Sequence, residues 1–334
     1  MTARLAILGA GSWGTALAVH AARIGHDVNF WGRDASLVDE IARTRENARY
    51  LPGIAIDARV RVTPSIEAAL SGAGVAIAAL PSHGMRHVLR EASTHIPQDA
   101  IVVSAAKGLE TDTLERMSQV IRDEVPGRSI AVLSGPSFAI EVARGMPTAV
   151  VVASSDPAAV ARVQDLLRGS SFRLYASDDV TGVEFGGALK NVIAIAAGVV
   201  EGLGIGHNAM AALITRGLVE MSRLACAAGS RSDTLAGLSG LGDLVLTCTG
   251  DLSRNRHVGL ELGRGRTLDD ILGHMRMVAE GVRTTRAALA LGARHQVELP
   301  LAAQMAAVLE GRATAREAVE RLMLRPQRPE RDSG

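Results

Sequence analysis

Leu5-Ala-Ile-Leu8 runs directly into Gly9-Ala-Gly11-Ser12-Trp13-Gly14, and a helical pattern follows from Thr15 to Arg23. After the turn Gly25-His26-Asp27, a second apolar run, Val28-Asn-Phe-Trp31, ends at Gly32-Arg33-Asp34. Strand, glycine-rich turn, helix and strand within about 30 residues make the βαβ unit of a dinucleotide-binding sheet. Each glycine has its own task. Gly9 allows the tight turn, Gly11 lets backbone approach a pyrophosphate, and Gly14 lets the helix pack close to the strand. N–H groups at the start of the helix then face the phosphates. Such a glycine string is weak evidence by itself. Its place between strand and helix weighs against the alternative, a glycine-rich turn with no ligand.

Sheets that bind NAD usually carry an acid at the end of the second strand for the ribose 2′-hydroxyl. Here the first polar residue is Arg33, which suits a 2′-phosphate and leans the cofactor toward NADPH over NADH; the adjoining Asp34 tempers the lean. The alternative is a solvated surface arginine. Further apolar runs cover Val60 to Val62, Val75 to Ala79, Ile101 to Ser104, Ile130 to Leu133, Ala149 to Val152 and Phe172 to Tyr175. Helical or loop segments separate them, which predicts an α/β, doubly wound parallel sheet. Ligands of such sheets lie beyond the carboxyl ends of the strands. The loops to read are therefore Pro81-Ser82-His83, Ala105-Ala-Lys107-Gly108 and Ser134-Gly135-Pro136-Ser137-Phe138. His83 and His87 read as ordinary polar residues, and Asn47 to Gly53 as turns without derivable chemistry. A helix is expected from Asp156 to Arg168, capped near Ser155.

After Ser177-Asp178-Asp179 the strand signals stop. Helical periodicity covers Val180 to Val200, Ala209 to Ala228, Leu268 to Met277, Thr284 to Ala293, Leu301 to Glu310 and Thr314 to Leu324. The expected division is a nucleotide-binding domain of Rossmann type over residues 1–178, an all-α domain over 179–324 and a disordered tail over 325–334. A length of 334 residues suits two domains.

Within the first of those helices, Gly187-Ala-Leu-Lys190-Asn191-Val-Ile-Ala-Ile-Ala-Ala-Gly198 is apolar nearly all round, the pattern of a buried helix. A buried ammonium is costly unless it is paired or its pKa falls. Lys190 and Lys107 are the only two lysines among 36 Lys+Arg. Arginine stays protonated, whereas a desolvated lysine exchanges a proton near neutral pH. Either the chain keeps lysine where that property is needed, or two lysines survive by chance, or Lys190 snorkels to a surface. The position of Lys107 in a post-strand loop favours function for that residue.

Leu238-Ser-Gly240-Leu-Gly242-Asp243-Leu-Val-Leu-Thr247-Cys-Thr-Gly250 forms a second polar cluster, followed by Ser253-Arg254-Asn255-Arg256. Ser253 suits an N-cap, which puts Arg254 and Asn255 in the first turn of a helix, a good seat for phosphate or merely a capped, solvated helix start. Asp243 could neutralise Lys190 or accept a substrate hydroxyl. Cys248 reads as a small buried hydrophobe.

Several classes are disfavoured. The net charge is +1 and the basic residues are scattered, unlike a nucleic-acid binder. Cys226 and Cys248 give neither a disulfide framework nor metal-ligand spacing, so a reducing, cytoplasmic setting without metal is expected. No apolar run of signal-peptide length precedes Gly9. The longest uncharged apolar stretch, Val192 to Val200, is short of the ~20 residues of a membrane span.

The chain closely resembles the bacterial NAD(P)-dependent glycerol-3-phosphate dehydrogenases. The matching strings are Gly9-Ala-Gly-Ser-Trp-Gly-Thr-Ala16, Lys107-Gly-Leu-Glu110, Ser134-Gly-Pro-Ser-Phe-Ala139, Leu189-Lys-Asn-Val192, Gly240-Leu-Gly-Asp243, Ser253-Arg-Asn-Arg256 and Val278-Ala-Glu-Gly281. They occur in the family's order and span nearly the whole chain. The resemblance implies a Rossmann domain followed by a helical domain, with a phosphorylated triose held between them. It implies reversible reduction of dihydroxyacetone phosphate to sn-glycerol 3-phosphate for phospholipid synthesis, with Lys190 as proton donor and acceptor. Lys107, Gly135, Ser137, Asp243, Ser253, Arg254 and Asn255 would contact substrate, with Thr247 in the same site. Ser12, Trp13, Arg33, Lys107, Ala139, Arg254, Val278 and Glu280 would line the cofactor beside the Gly9, Gly11 and Gly14 turn. A homodimer is compatible with it. Competing readings are a two-domain β-hydroxyacid or ketoacid reductase, which binds a carboxylate, and a non-catalytic NADPH-binding regulator.

Overall fold

Ten strands appear in a computed structural model that describes residues 3–275, 279–327 and 329–330. They are β1 (Arg4–Leu8), β2 (Asp27–Trp31), β3 (Glu46–Asn47), β4 (Leu51–Ala55), β5 (Val60–Thr63), β6 (Val75–Ala78), β7 (Ile101–Ser104), β8 (Ile130–Ser134), β9 (Thr148–Ala153) and β10 (Phe172–Ser177). Eight form one sheet in the order β10-β9-β8-β7-β6-β1-β2-β5, while β3 and β4 pair as a separate antiparallel ribbon. The chain winds outward from β1 through β2 to β5, then returns to β6 on the other side of β1. That reversal opens a crevice at the carboxyl ends of β1 and β6, where a dinucleotide sheet holds its ligand. Alternate residues of β1 enter different cores: Leu5 and Ile7 one face, Ala6 and Leu8 the other. Both faces are covered, so the strand is apolar from Leu5 to Leu8.

The sheet departs from the all-parallel expectation at one place. β9 runs antiparallel to β8, with Val132 opposite Ala153 and Ser134 opposite Val151, and β10 runs parallel to β9. Alternation of strands and helices does not encode direction. Here the link between β8 and β9 holds only the short helix Ala139–Arg144, and β9 returns directly along β8.

After β10 the described structure is helical. Helix Val180–Gly202 runs through the middle of this part, buried along nearly its whole length, with its N-terminus capped by the Asp179 side chain on the Gly182 N–H. At 23 residues it is long and apolar enough to cross a membrane, although its uncharged core is shorter. Protein covers that apolar stretch completely, as befits a core helix. Its closest neighbour is helix Arg254–Gly263. A Cβ on Gly259 would lie 1.8 Å from the Ile195 carbonyl oxygen, and one on Gly198 would lie 1.9 Å from that of Arg256. The two backbones touch, and this contact fixes residues 254 and 255 relative to Lys190.

Three local expectations change. Helix Pro157–Leu167 is capped by Asp156, whose carboxylate accepts the Ala158 N–H at 2.9 Å, rather than by Ser155. Leu238–Gly242 forms a π-turn and Asp243–Thr249 a short helix, in the polar cluster to which no element was assigned. The first helix starts at Ser12, so Gly14 lies inside it. Half of the tail expected over residues 325–334, namely 328 and 331–334, falls outside the described residues.

Candidate active site

Two walls meet at the crevice. The first is backbone. Gly9 has φ +117°, a conformation open to glycine, and a Cβ there would sit 2.5 Å from the Ala79 carbonyl oxygen. A Cβ on Gly14 would strike the Gly9 oxygen at 1.9 Å, so this glycine lets the helix lie on the turn. Gly11 differs: a Cβ there would meet nothing within 4 Å. The fold does not need glycine at 11, and the bare backbone there leaves the turn open to an approaching ligand. Trp13 packs on the first core, and its buried Nε1 has no hydrogen-bond partner among the described residues. Such a cradle fits a dinucleotide. The segment from Asn47 to Tyr50, which offered no chemistry in the sequence, braces it: Asn47 Nδ2 donates to the Ala10 carbonyl at 3.0 Å and to Thr15 Oγ1 at 2.8 Å, and Ser12 Oγ donates to the Tyr50 carbonyl at 2.6 Å.

Beyond β2, Arg33 and Asp34 have different fates. Asp34 caps helix Ala35–Thr44 through the Leu37 N–H, accepts from Ser36 and pairs with Arg49 at 2.8 Å; these bonds hold its pKa down at about 2. Arg33 is exposed and, among the described residues, makes no hydrogen bond or ion pair.

The second wall is made of side chains. Lys190 is 5% exposed, and its Nζ donates to Asp243 Oδ1 at 2.6 Å and to Thr247 Oγ1 at 2.7 Å. Thr247 in turn donates to the Asp243 carbonyl at 2.6 Å. Lys107 takes the other oxygen of the same carboxylate, Asp243 Oδ2, at 2.8 Å, and donates also to the Gly135 carbonyl at 2.8 Å and to Ser137 Oγ at 3.2 Å. One carboxylate thus holds both lysines of the chain. Burial lowers the Lys190 pKa to about 8, with Asp243 opposing and Lys107 adding to the fall. The reading of Lys190 as a snorkelling surface residue is excluded, and Asp243 neutralises it. Cys248 is fully buried, and desolvation pushes its thiol up to about 12, so it supplies no nucleophile.

Ser253 is the N-cap of helix Arg254–Gly263, its Oγ accepting the Arg256 N–H at 3.2 Å. Arg254 is solvent-accessible yet surrounded by protein mass, as expected of a group lining a cleft. That crowding lowers its pKa against the pull of Glu280. It makes no hydrogen bond or ion pair among the described residues. Asn255 is engaged within the protein: Nδ2 donates to Asn191 Oδ1 at 2.9 Å and Oδ1 accepts the Gly281 N–H at 2.9 Å. Asn191 extends the chain of bonds to the Lys107 carbonyl at 3.0 Å. Glu280 crosses the seam, accepting from the Ser82 N–H at 3.1 Å and the Ser82 hydroxyl at 2.8 Å. Ala139 opens helix Ala139–Arg144 after the Ser137 loop. Val278 lies outside the described residues. Among those described, no group of three or more His, Cys, Asp or Glu residues could hold a metal. Sequence reasoning missed Asn191 as a bridge and Ser82 as the partner of Glu280; adjacency to Lys190 was the one available signal for the former.

A family model described as NAD-dependent glycerol-3-phosphate dehydrogenase N-terminus matches residues 4–160, and its C-terminus counterpart matches residues 179–320. A Geobacter sulfurreducens protein named glycerol-3-phosphate dehydrogenase [NAD(P)+] is 52% identical over 334 residues, covering 99% of this chain and 100% of the relative. A Myxococcus xanthus protein of the same name is 50% identical over 330 residues, 98% of each chain. The crystal structure of glycerol-3-phosphate dehydrogenase from Coxiella burnetii superposes with a TM-score of 0.94 at 39% identity, covering 97% of this chain and 99% of the other. A nicotinamide-binding sheet, a buried lysine at the seam and full-length likeness to these enzymes converge: the chain is an oxidoreductase and belongs to the NAD-dependent glycerol-3-phosphate dehydrogenase family.

Proposed function

We propose that the chain reversibly reduces dihydroxyacetone phosphate to sn-glycerol 3-phosphate, with Lys190 as the proton donor. The observation that carries this reading is the buried Lys190 ammonium, held by Asp243 and Thr247 with its pKa lowered to about 8. A reduced nicotinamide, when bound on the glycine turn, supplies the hydride. As negative charge grows on the substrate carbonyl oxygen, Lys190 gives it a proton and is left as a neutral amine, which Asp243 and Thr247 keep in place. In the reverse direction that amine takes the proton from the alcohol. General acid catalysis of this kind contributes about 10²–10⁴-fold. Lys107 adds positive field and orients Asp243.

Arg254 is the residue we assign to the phosphate, because it stands beside Asn255 and Glu280 in the cleft and makes no hydrogen bond or ion pair among the described residues. The Ser253 hydroxyl, the free N–H of the Asn255 amide and the Gly135–Ser137 loop complete the substrate wall. Among the described residues Asp243 pairs with Lys190 and Lys107 and Glu280 pulls on Arg254, three cations to two carboxylates, an excess of positive charge that suits a phosphate better than a neutral sugar. Ser12, Trp13, Ala139 and Glu280 line the cofactor side. Arg33 favours NADPH, since the neighbouring acid is spent on the cap and on Arg49. The division into domains near residue 178, a homodimer, service in phospholipid synthesis and a cytoplasmic setting belong to the same reading; sedimentation tests the dimer. The function itself is tested by mixing the purified chain with NADPH and dihydroxyacetone phosphate and following cofactor absorbance, with a ketoacid as control. Turnover of the ketoacid but not the triose phosphate refutes it.

A further inference from the structure

Helix Val180–Gly202 carries a second buried ionisable group that the scheme above leaves unused. Glu184, 7% exposed, lies six residues before Lys190. Its Oε1 accepts the Ser118 N–H at 2.7 Å, and its Oε2 accepts the Ser118 hydroxyl and the Arg116 guanidinium, each at 2.6 Å. Both partners belong to the nucleotide-binding part of the chain, at the start of helix Met117–Glu124. They also end the loop that begins at Lys107. That loop folds back on itself, with Leu109 bridged to Arg116 and the Glu110 N–H donating to the Glu115 carbonyl at 2.9 Å. One end of the loop delivers Lys107 to Asp243, and the other is fastened to Glu184. Asn191, on the far side of Lys190, holds the Lys107 carbonyl. The loop is therefore tied to the catalytic helix at two points that bracket the amine.

We propose that Glu184 is a positioning residue, whose grip on Arg116 and Ser118 holds the Lys107 loop and the Lys190 helix at the separation where both ammonium groups reach Asp243. This rests on the reading of Lys190 as proton donor. An exposed ion pair at this place would do little. A buried carboxylate with three donors resists displacement, since loosening it strands charge away from water. The anchor stands about 9 Å along the axis from Lys190, close enough to pass a small shift to the amine. Misplacement by about 1 Å can cost on the order of 10²-fold in rate.

The test compares full-chain E184Q and R116K with wild type. The expected result for E184Q is a kcat for dihydroxyacetone phosphate reduction lower by about ten- to a hundredfold. KM for NADPH should stay within about threefold, because the glycine turn is untouched. The alkaline limb of kcat/KM should move to higher pH, because a Lys107 that withdraws from Asp243 no longer depresses Lys190. R116K should change the same quantities in the same directions by less, and it decides the matter if E184Q does not fold. A lower melting temperature with unchanged kcat and an unmoved limb would mean a purely structural contact and overturns the proposal. An inactive wild type overturns the function reading and this proposal with it; an active wild type indistinguishable from both variants overturns the proposal alone.

Discussion

The two walls of the cleft are made of different material. On the cofactor side the shape is drawn by main chain, through Gly9, Gly11 and Gly14, in one stretch of six residues. On the side we assign to the substrate it is drawn by side chains that arrive from residues 107, 190, 243, 247 and 254. A wall built from backbone needs particular glycines at fixed spacing and so leaves a motif. A wall built from side chains needs only that the fold bring distant residues together. Glycine serves the second wall too, but further back, where helices Val180–Gly202 and Arg254–Gly263 touch.

The largest effect should come from Lys190→Arg, which keeps charge and removes proton exchange. Turnover should fall about 10²–10⁴-fold while NADPH binding, a property of the other wall, stays unchanged in a fluorescence titration; near wild-type turnover would break the contrast. Next comes Arg254→Ala. It should raise KM about ten- to a hundredfold for the phosphorylated triose, the worth of a charged hydrogen bond, and leave an unphosphorylated ketone analogue unaffected. Equal effects on both ketones would remove the phosphate role. The pH profile sharpens the same wall. kcat/KM reports the free enzyme, so for ketone reduction it should fall above about pH 8 as Lys190 loses its proton, and for alcohol oxidation it should rise through the same range. The stability sign differs from that of a paired lysine. The folded pKa lies below the unfolded value of 10.5, so between about 8 and 10.5 the unfolded chain holds more protons and this group makes stability rise with pH. The smallest effects separate the two uses of glycine. Gly259→Ala should cost about 1–3 kcal/mol in urea unfolding, because its Cβ meets the Ile195 carbonyl. Gly11→Ala should leave the midpoint within about 0.5 kcal/mol yet weaken NADPH binding. A Gly11→Ala protein that unfolds early would show that the turn is needed for folding rather than for the ligand.

The nucleotide-binding unit was legible in the sequence because periodicity and glycine spacing are local. Lys190 was legible for another reason: in a chain that otherwise uses arginine, a lysine on an apolar helix stands out. Strand direction was not legible, and β9 turned against β8 without a signal in its composition. Helix Asp243–Thr249 was hidden by flanking glycines; at seven residues it is too short to stand alone, and it packs on the long helix, where Asp243 and Thr247 hold Lys190. Asn47 looked like a turn residue; its amide is recruited by Ala10 and Thr15, more than thirty positions earlier, which no local pattern records.

The reversal of β9 and β10 decides where the chain leaves the sheet. It exits at the rim opposite the cofactor turn, and helix Val180–Gly202 has to climb back. Val183 packs beside Val132 and Ala153, Gly187 stands against Ser134 one level higher, and Lys190 arrives beside the Asp243 carboxylate that Lys107 also reaches. The helix works as a measuring rod. One extra turn ahead of residue 190 would carry the amine about 5 Å past its carboxylate. The count of residues between the last strand and Lys190 is thereby bound to the chemistry, although most of them touch no substrate.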